Sequence, residues 1–247
     1  MIRLPGKPSG KRVAVLVLGG GVTLIVVVFL LVYFVIFPTS SPKPFKLATS
    51  TATAATAASS VSASSGSVGG RWSVATGSQA GYRVREKLAF LPAQSDAVGR
   101  TSSITGAAKL TESKGTTTIA TASFEVAVNT LKSDRSMRDE KIHEIGLESS
   151  RYPTATFVLA APVRLTSSAV AGHVTRASVT GVFTIHGTSK KKTLPVEFTL
   201  SGSTLEAVGS ITFPWGEFGM SAPSIWGFVN VTEKATMEFD LHLQRAQ

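Results

Sequence analysis

The sequence predicts an all-β fold: an antiparallel closed β-barrel of about eight strands with one short helix, preceded by a single transmembrane helix. Three observations predict it. Apolar and polar residues alternate over six segments between Tyr82 and Leu243, which is the period of strands with one buried face. Only Ser133–Ile145 carries a helical pattern within that region. Ahead of it, Val13–Phe37 runs 25 residues without a charge, long enough at about 1.5 Å per residue to cross a ~30 Å hydrocarbon layer.

Taken in chain order, residues 1–12 form a basic cytoplasmic segment with Arg3, Lys7, Lys11 and Arg12. Residues 13–37 form the membrane span. It is longer than the apolar region of a cleavable signal, about 7 to 15 residues, and meets Pro38 before any small-residue cleavage site, so it reads as a signal anchor. Fewer cations follow it (Lys43, Lys46) than precede it, which places the N-terminus in the cytoplasm and the C-terminal domain outside, in a single-pass cell-membrane protein. Residues 38–70 are rich in Ser, Thr and Ala with no acidic residue, a disordered linker that cannot offset chain entropy by burial. Residues 71–247 form the barrel domain.

Its strand rows are Tyr82, Val84, Leu88 and Phe90; Ala120, Ala122, Phe124, Val126 and Val128; Val179, Phe183 and Ile185; Leu194, Val196, Phe198 and Leu200; Leu205, Ala207, Ile211 and Phe213; and Val231, Ala235, Met237, Phe239, Leu241 and Leu243. So many strands expose edges unless the sheet closes on itself. The one helix is capped by Ser133 or Asp134, runs to Ile145 and stops at Gly146, with Met137, Ile142 and Ile145 toward one side, and is placed to cover a barrel opening. Glu86 falls in an apolar row and requires a partner, for which Arg100 or a ligand's polar head is a candidate. Lys190-Lys191-Lys192 reads as a basic hairpin tip, either a solubilising turn or a contact for lipid phosphates.

The formal charge of +10 does not indicate nucleic acid. Residues 1–70 hold six Lys or Arg and no acid, leaving the barrel region about +4 with interspersed signs and no recognition helix. Zero cysteines exclude disulfides and thiol chemistry. His143-Glu144 lacks the second histidine of a zinc-protease face, His173, His186 and His242 fall on different strands, and no nucleophile elbow is present. No catalytic residue, metal or cofactor is therefore expected, and the protein is read as a binding protein rather than an enzyme. The aromatic cluster Phe213, Trp215, Phe218, Trp226 and Phe228 is the leading pocket candidate, with core packing as its alternative.

In order along the chain stand Trp72, Arg138-Asp139, Tyr152-Pro153-Thr154-Ala155-Thr156-Phe157, Gly181-Val182-Phe183-Thr184-Ile185-His186-Gly187-Thr188, Gly219 and Trp226-Gly227. This ordered set resembles the YceI-like family of lipid-binding, lipocalin-like barrels, over roughly 71–245, and in particular a membrane-anchored, actinobacterial-type member. The resemblance implies a cavity for a polyisoprenoid or other long-chain lipid. The ligand-binding candidates are Tyr82, Leu88, Phe90, Phe124, Phe157, Phe183, Phe198, Phe213, Trp215, Phe218, Trp226 and Phe239, with Glu86 and Arg138 toward a polar head group. His186 matches the family's His-Gly at a strand end, where the ring is expected to bond turn backbone. Lys141-Ile142-His143-Glu144 and Gly146-Leu147-Glu148 replace motifs that many members carry.

The expected function is a membrane-tethered extracytoplasmic protein of the cell envelope that sequesters or carries an apolar chain, with the lipid and the membrane as partners and no nucleic acid. Two alternatives remain at this stage: an adaptor barrel filled by its own side chains and acting through a protein partner, and an envelope hydrolase using acids such as Asp139 and Glu217.

Overall fold

The computed structural model describes residues 41–47, 68–88, 94–201, 203–223 and 229–246. The expected membrane span and most of the linker lie outside these residues. Among the described residues, no helix is long and apolar enough to cross a membrane. The chain divides into two compact units, Met1–Ser41 and Pro42–Gln247, and all the elements below belong to the second.

Among the described residues, eleven strands form one antiparallel sheet: β1 Gly70–Val74, β2 Gln79–Leu88, β3 Gln94–Thr101, β4 Ile104–Ser113, β5 Thr116–Ala127, β6 Thr154–Leu159, β7 Val163–Leu165, β8 Thr175–Ile185, β9 Thr188–Ser201, β10 Thr204–Pro214 and β11 Val229–Arg245. The ring β1-β4-β5-β6-β8-β9-β10-β11 closes because β11 pairs back onto β1 through Trp72 and Arg245, so eight strands make the circuit. The long β11 pairs β1 at its end and β2 along Val229–Asp240; β3 lies beyond β2, and β7 pairs β5. Between β1 and β2 the chain turns away, and the Ser78 hydroxyl fills the gap in the ladder. It donates to the His242 carbonyl at 3.1 Å and accepts from the His242 amide at 2.9 Å. No buried backbone group of His242 is left unpaired there.

The period-two rows place the core. Tyr82 and Val84 of β2, Val179, Phe183 and Ile185 of β8, and the rows of β9 and β10 all point inward and are buried. On β5 the single predicted row is interrupted. Thr117 and Ile119 face in, then Ala122, because the register against β4 slips at Lys109/Leu110 and Ala120 becomes the extra residue of a bulge. A second irregularity lies between Val231 and Ala235 on β11.

The helical segment departs from its expected form. Helix α1 is Ser136–Lys141, continued by a π-type turn Ile142–Gly146, and no side chain caps its start. Ser133 and Asp134 do not cap it because the Asp139 carboxylate accepts the Ser133 amide at 2.8 Å while the Ser133 hydroxyl accepts the Arg135 amide, making a separate turn ahead of the helix. Ile142 is buried, but Met137 and Ile145 are 63% and 39% exposed, so the three do not share an inward face.

One stretch of the expected linker is seated on the barrel. Arg83 donates to the Pro42 carbonyl at 2.7 Å, Arg100 donates to the Lys43 carbonyl at 2.6 Å and stacks over the Phe45 ring at 3.8 Å, and Leu47 is buried. Both guanidiniums are held in place by Glu238 on the outer face of β11, itself 2% exposed.

Candidate functional site

An eight-stranded barrel is just wide enough to be filled by its own side chains, so a hollow must come from small residues at inward positions. Here they are Ala80, Ala108, Ala122, Ala155 and Ala207, carried on β2, β4, β5, β6 and β10. They line a cavity of about 110 Å³. Among its lining residues only Thr156 bears a polar side-chain atom, so nothing inside offers water the two to four partners that hold it in a protein. Five of the predicted aromatics, Phe124, Phe157, Phe183, Phe198 and Phe239, form the walls. Phe157 stands between Phe124 and Phe183 with ring centroids 6.4 and 4.9 Å away. Its ring has room only because position 181 is glycine: a Cβ there would lie 2.0 Å from Phe157 Cε2.

Toward α1 lies a second apolar cavity of about 70 Å³, covered by Leu131, Ile142 and Leu147. Tyr82, Phe213 and Trp215 line it, and the Trp215 indole donates to the Thr232 carbonyl at 2.9 Å. The two cavities share Ala80, Val126, Ala155 and Met237, which form a neck. The Tyr82 hydroxyl is shut off from solvent and makes no hydrogen bond. Burial pushes its pKa up, with the Arg138 charge opposing, so the phenol stays protonated.

Glu86 does face inward and is buried, but its partner is not Arg100. Arg138 of α1 donates to it at 2.6 Å, and Ser95 adds a weaker bond at 3.4 Å. Arg100 points outward to Glu238 because its parity on β3 is opposite. Burial opposes the charge on Arg138, but the hydrogen bond and charge of Glu86 outweigh it and raise the pKa, so the guanidinium stays charged. It ties the helix to the barrel rim.

The other predicted positions are placed as follows. Phe218 is fully buried but lines neither cavity; it packs edge-on against Phe213 at 4.8 Å. Leu88 belongs to β2, with its side chain outside the description, and Phe90, Trp226 and Phe228 lie outside the described residues. His186 bonds the Glu148 carboxylate at 3.0 Å and packs on Tyr152, rather than bonding turn backbone. The hairpin tip is His186-Gly187, where both φ angles are positive; Lys190-Lys191-Lys192 sits within β9, and Lys192 pairs with Glu217 at 2.6 Å. With Glu217 so paired and Asp139 holding the Ser133 amide, the two acids proposed for hydrolysis serve as local ties. The alanines and Met237 went unrecognised as lining. Their inward parity was the available signal: Ala122, Ala207 and Met237 all stand in the rows read from the sequence.

A family model described as the YceI-like domain matches residues 50–243. Among solved structures, a polyisoprenoid-binding domain from Saccharophagus degradans implicated in plant cell wall breakdown is similar at 14% identity and TM-score 0.54, over 72% of this chain and 99% of that one. BcnA of Burkholderia cenocepacia is similar at 19% identity and TM-score 0.49, over 66% and 95%. A Campylobacter jejuni YceI protein gives 11% identity and TM-score 0.42, over 57% and 81%. At such identities the likeness to the first concerns the fold alone. No curated protein sequence matches the chain.

Proposed function

The chain belongs to the YceI-like domain family, and from that premise we propose that it sequesters or carries an apolar chain, a polyisoprenoid by preference, inside the barrel. The observation that carries this reading is the alanine-lined hollow. A protein that needed only a filled core would place larger side chains at those five inward positions. Each methylene buried there contributes about 0.8 kcal/mol, so a long chain binds tightly without any strong polar contact. The name of the Saccharophagus degradans domain supports the choice of a polyisoprenoid.

The neck at Met237 lets one chain occupy both cavities, since an unbranched thioether side chain swings aside at small cost. The polar end of the guest then lies at the α1 end, beside the buried Tyr82 hydroxyl and the Glu86–Arg138 pair. The protein makes no covalent change to its cargo. The uncharged run Val13–Phe37 and the cation bias around it support a single-pass membrane anchor with the barrel outside the cytoplasm.

Native mass spectrometry of the detergent-purified chain, followed by solvent extraction, tests the reading. A lipid-sized mass increment lost on extraction is the expected result. A protein that emerges empty and takes up neither a C20 isoprenoid alcohol nor a long-chain fatty acid would favour the adaptor alternative. Fusing the N-terminal segment and domain to an externally active reporter enzyme tests the topology, with activity expected outside the cytoplasm.

A further inference from the structure

On a strand, residues two apart share a face, and an antiparallel neighbour places a third side chain directly opposite. Asp240 and His242 of β11 share the outer face, and Glu206 of β10 is the cross-strand partner of His242. The ligand-type atoms of these three residues all lie within 4.8 Å of one another. We propose that Glu206, Asp240 and His242 form a binding site for a divalent transition ion of the zinc class on the outer wall of the barrel.

The contact between Asp240 and His242 points beyond a plain ion pair. His242 Nε2 lies 3.2 Å from Asp240 Oδ1, yet that oxygen is closed to solvent and makes no hydrogen bond, so the two atoms are close without being aligned as donor and acceptor. Two ligands each ~2.0–2.1 Å from a tetrahedral zinc are separated by about 3.3 Å. The pair thus already has the spacing of two ligands, and a rotamer adjustment of Glu206 completes a third. The imidazole separates this set from an acidic patch, because it selects zinc-like ions over calcium, which takes oxygen ligands. Three protein ligands leave a coordination position for water or a further donor.

The backbone under the site is fixed. His242 is held on both its amide and carbonyl by Ser78, its carbonyl also accepts from the Ala75 amide at 2.8 Å, and the Gly77 turn packs against its ring. A bound dication clasps β10 to the terminal strand beside the β1–β2 turn.

The full chain in detergent, stripped with EDTA and dialysed, is titrated with Zn²⁺, Mn²⁺ and Ca²⁺ by calorimetry and thermal melting. One equivalent of Zn²⁺ is expected, with a melting point raised by several degrees, and no response to Ca²⁺. Glu206→Gln, Asp240→Asn and His242→Gln each lower Zn²⁺ affinity at least about tenfold, whereas His173→Gln, an exposed histidine outside the set, does not. Should His242→Gln fail to fold, Glu206→Gln carries the test, together with a weak visible Co²⁺ band in the parent. No Zn²⁺ uptake, uptake undiminished in Glu206→Gln and His242→Gln, or Ca²⁺ binding as well as Zn²⁺ would each overturn the proposal.

Discussion

Replacing Ala122 by leucine separates a hollow kept for a guest from an ordinary core. Ala122 is buried on β5 and its methyl faces the cavity of about 110 Å³. Leucine adds three carbon atoms to that space. If they displace about three methylenes of a guest at about 0.8 kcal/mol each, binding weakens by about 2.4 kcal/mol, roughly fiftyfold in Kd. The empty protein responds in the opposite direction. Filling slack raises or preserves its stability, whereas a close-packed core would be overfilled at about 1–3 kcal/mol. The assay is a tryptophan-fluorescence titration with a C20 isoprenoid alcohol, paired with urea unfolding of the delipidated parent and variant. Affinity within twofold of the parent would place the guest outside this cavity and refute the reasoning, and a loss of more than about 1 kcal/mol in the empty protein would show that there was no slack to fill.

Other perturbations follow from the same geometry. Arg138→Ala leaves Glu86 buried without its 2.6 Å partner and is expected to cost about 3 kcal/mol by urea unfolding, with much of the loss recovered in the Glu86→Gln, Arg138→Ala double variant. Gly181→Ala drives a Cβ into the Phe157 ring and is expected to lower the melting point by an amount equivalent to roughly 2 kcal/mol while displacing the cavity wall, read by calorimetry and by loss of lipid uptake. Leu47→Ala removes the buried anchor of the seated linker stretch; a loss of about 2 kcal/mol and faster amide exchange confined to residues 42–47 and their contacts are expected. Glu206 has its folded pKa raised by burial and then by Asp240, while His242 opposes. In chelator, the folded state therefore holds the proton more tightly, and stability falls as pH rises from the ordinary carboxylate value through the folded one. Glu206→Gln should flatten that decline in melting curves between pH 4 and 7.

The rows on β2 and β8–β11 were legible because alternation is local: each strand carries its own record of which face is wet. What alternation cannot record is an interruption with no distinctive residue. Ala120, the extra residue on β5, is neither Gly nor Pro, so the slip that separates Ile119 from Ala122 leaves no mark. Pairings across long separations were equally hidden. Glu86 could be recognised as needing a partner, but choosing Arg138 over Arg100 requires knowing that α1 folds over the rim and that Arg100 has outward parity. The stretch Pro42–Leu47 reads as linker by composition, and its anchors Arg83 and Arg100 are 41 and 57 residues away. Asp240-Glu206-His242 shows the same division: the alternate spacing on β11 is visible in the sequence, and the register that brings Glu206 opposite His242 is not.

The cavity also has a thermodynamic cost that argues for its use. At about 24 cal/mol per Å³, an empty space of about 110 Å³ represents stability on the order of 3 kcal/mol forgone, a large share of the roughly 5–15 kcal/mol by which domains are stable. Five separate strands contribute alanines to it, so one larger residue on any of them would recover part of that loss. The polar ties are placed elsewhere, with Glu86–Arg138 at the rim and Glu238 on the outer wall, so the interior is left with almost nothing but hydrocarbon to recognise. Selection among guests must then rest on length and girth, with Tyr82 reading at most one polar end. On the proposed reading, a barrel built this way discriminates poorly between apolar chains of equal dimensions and sharply between those that pass Met237 and those that do not.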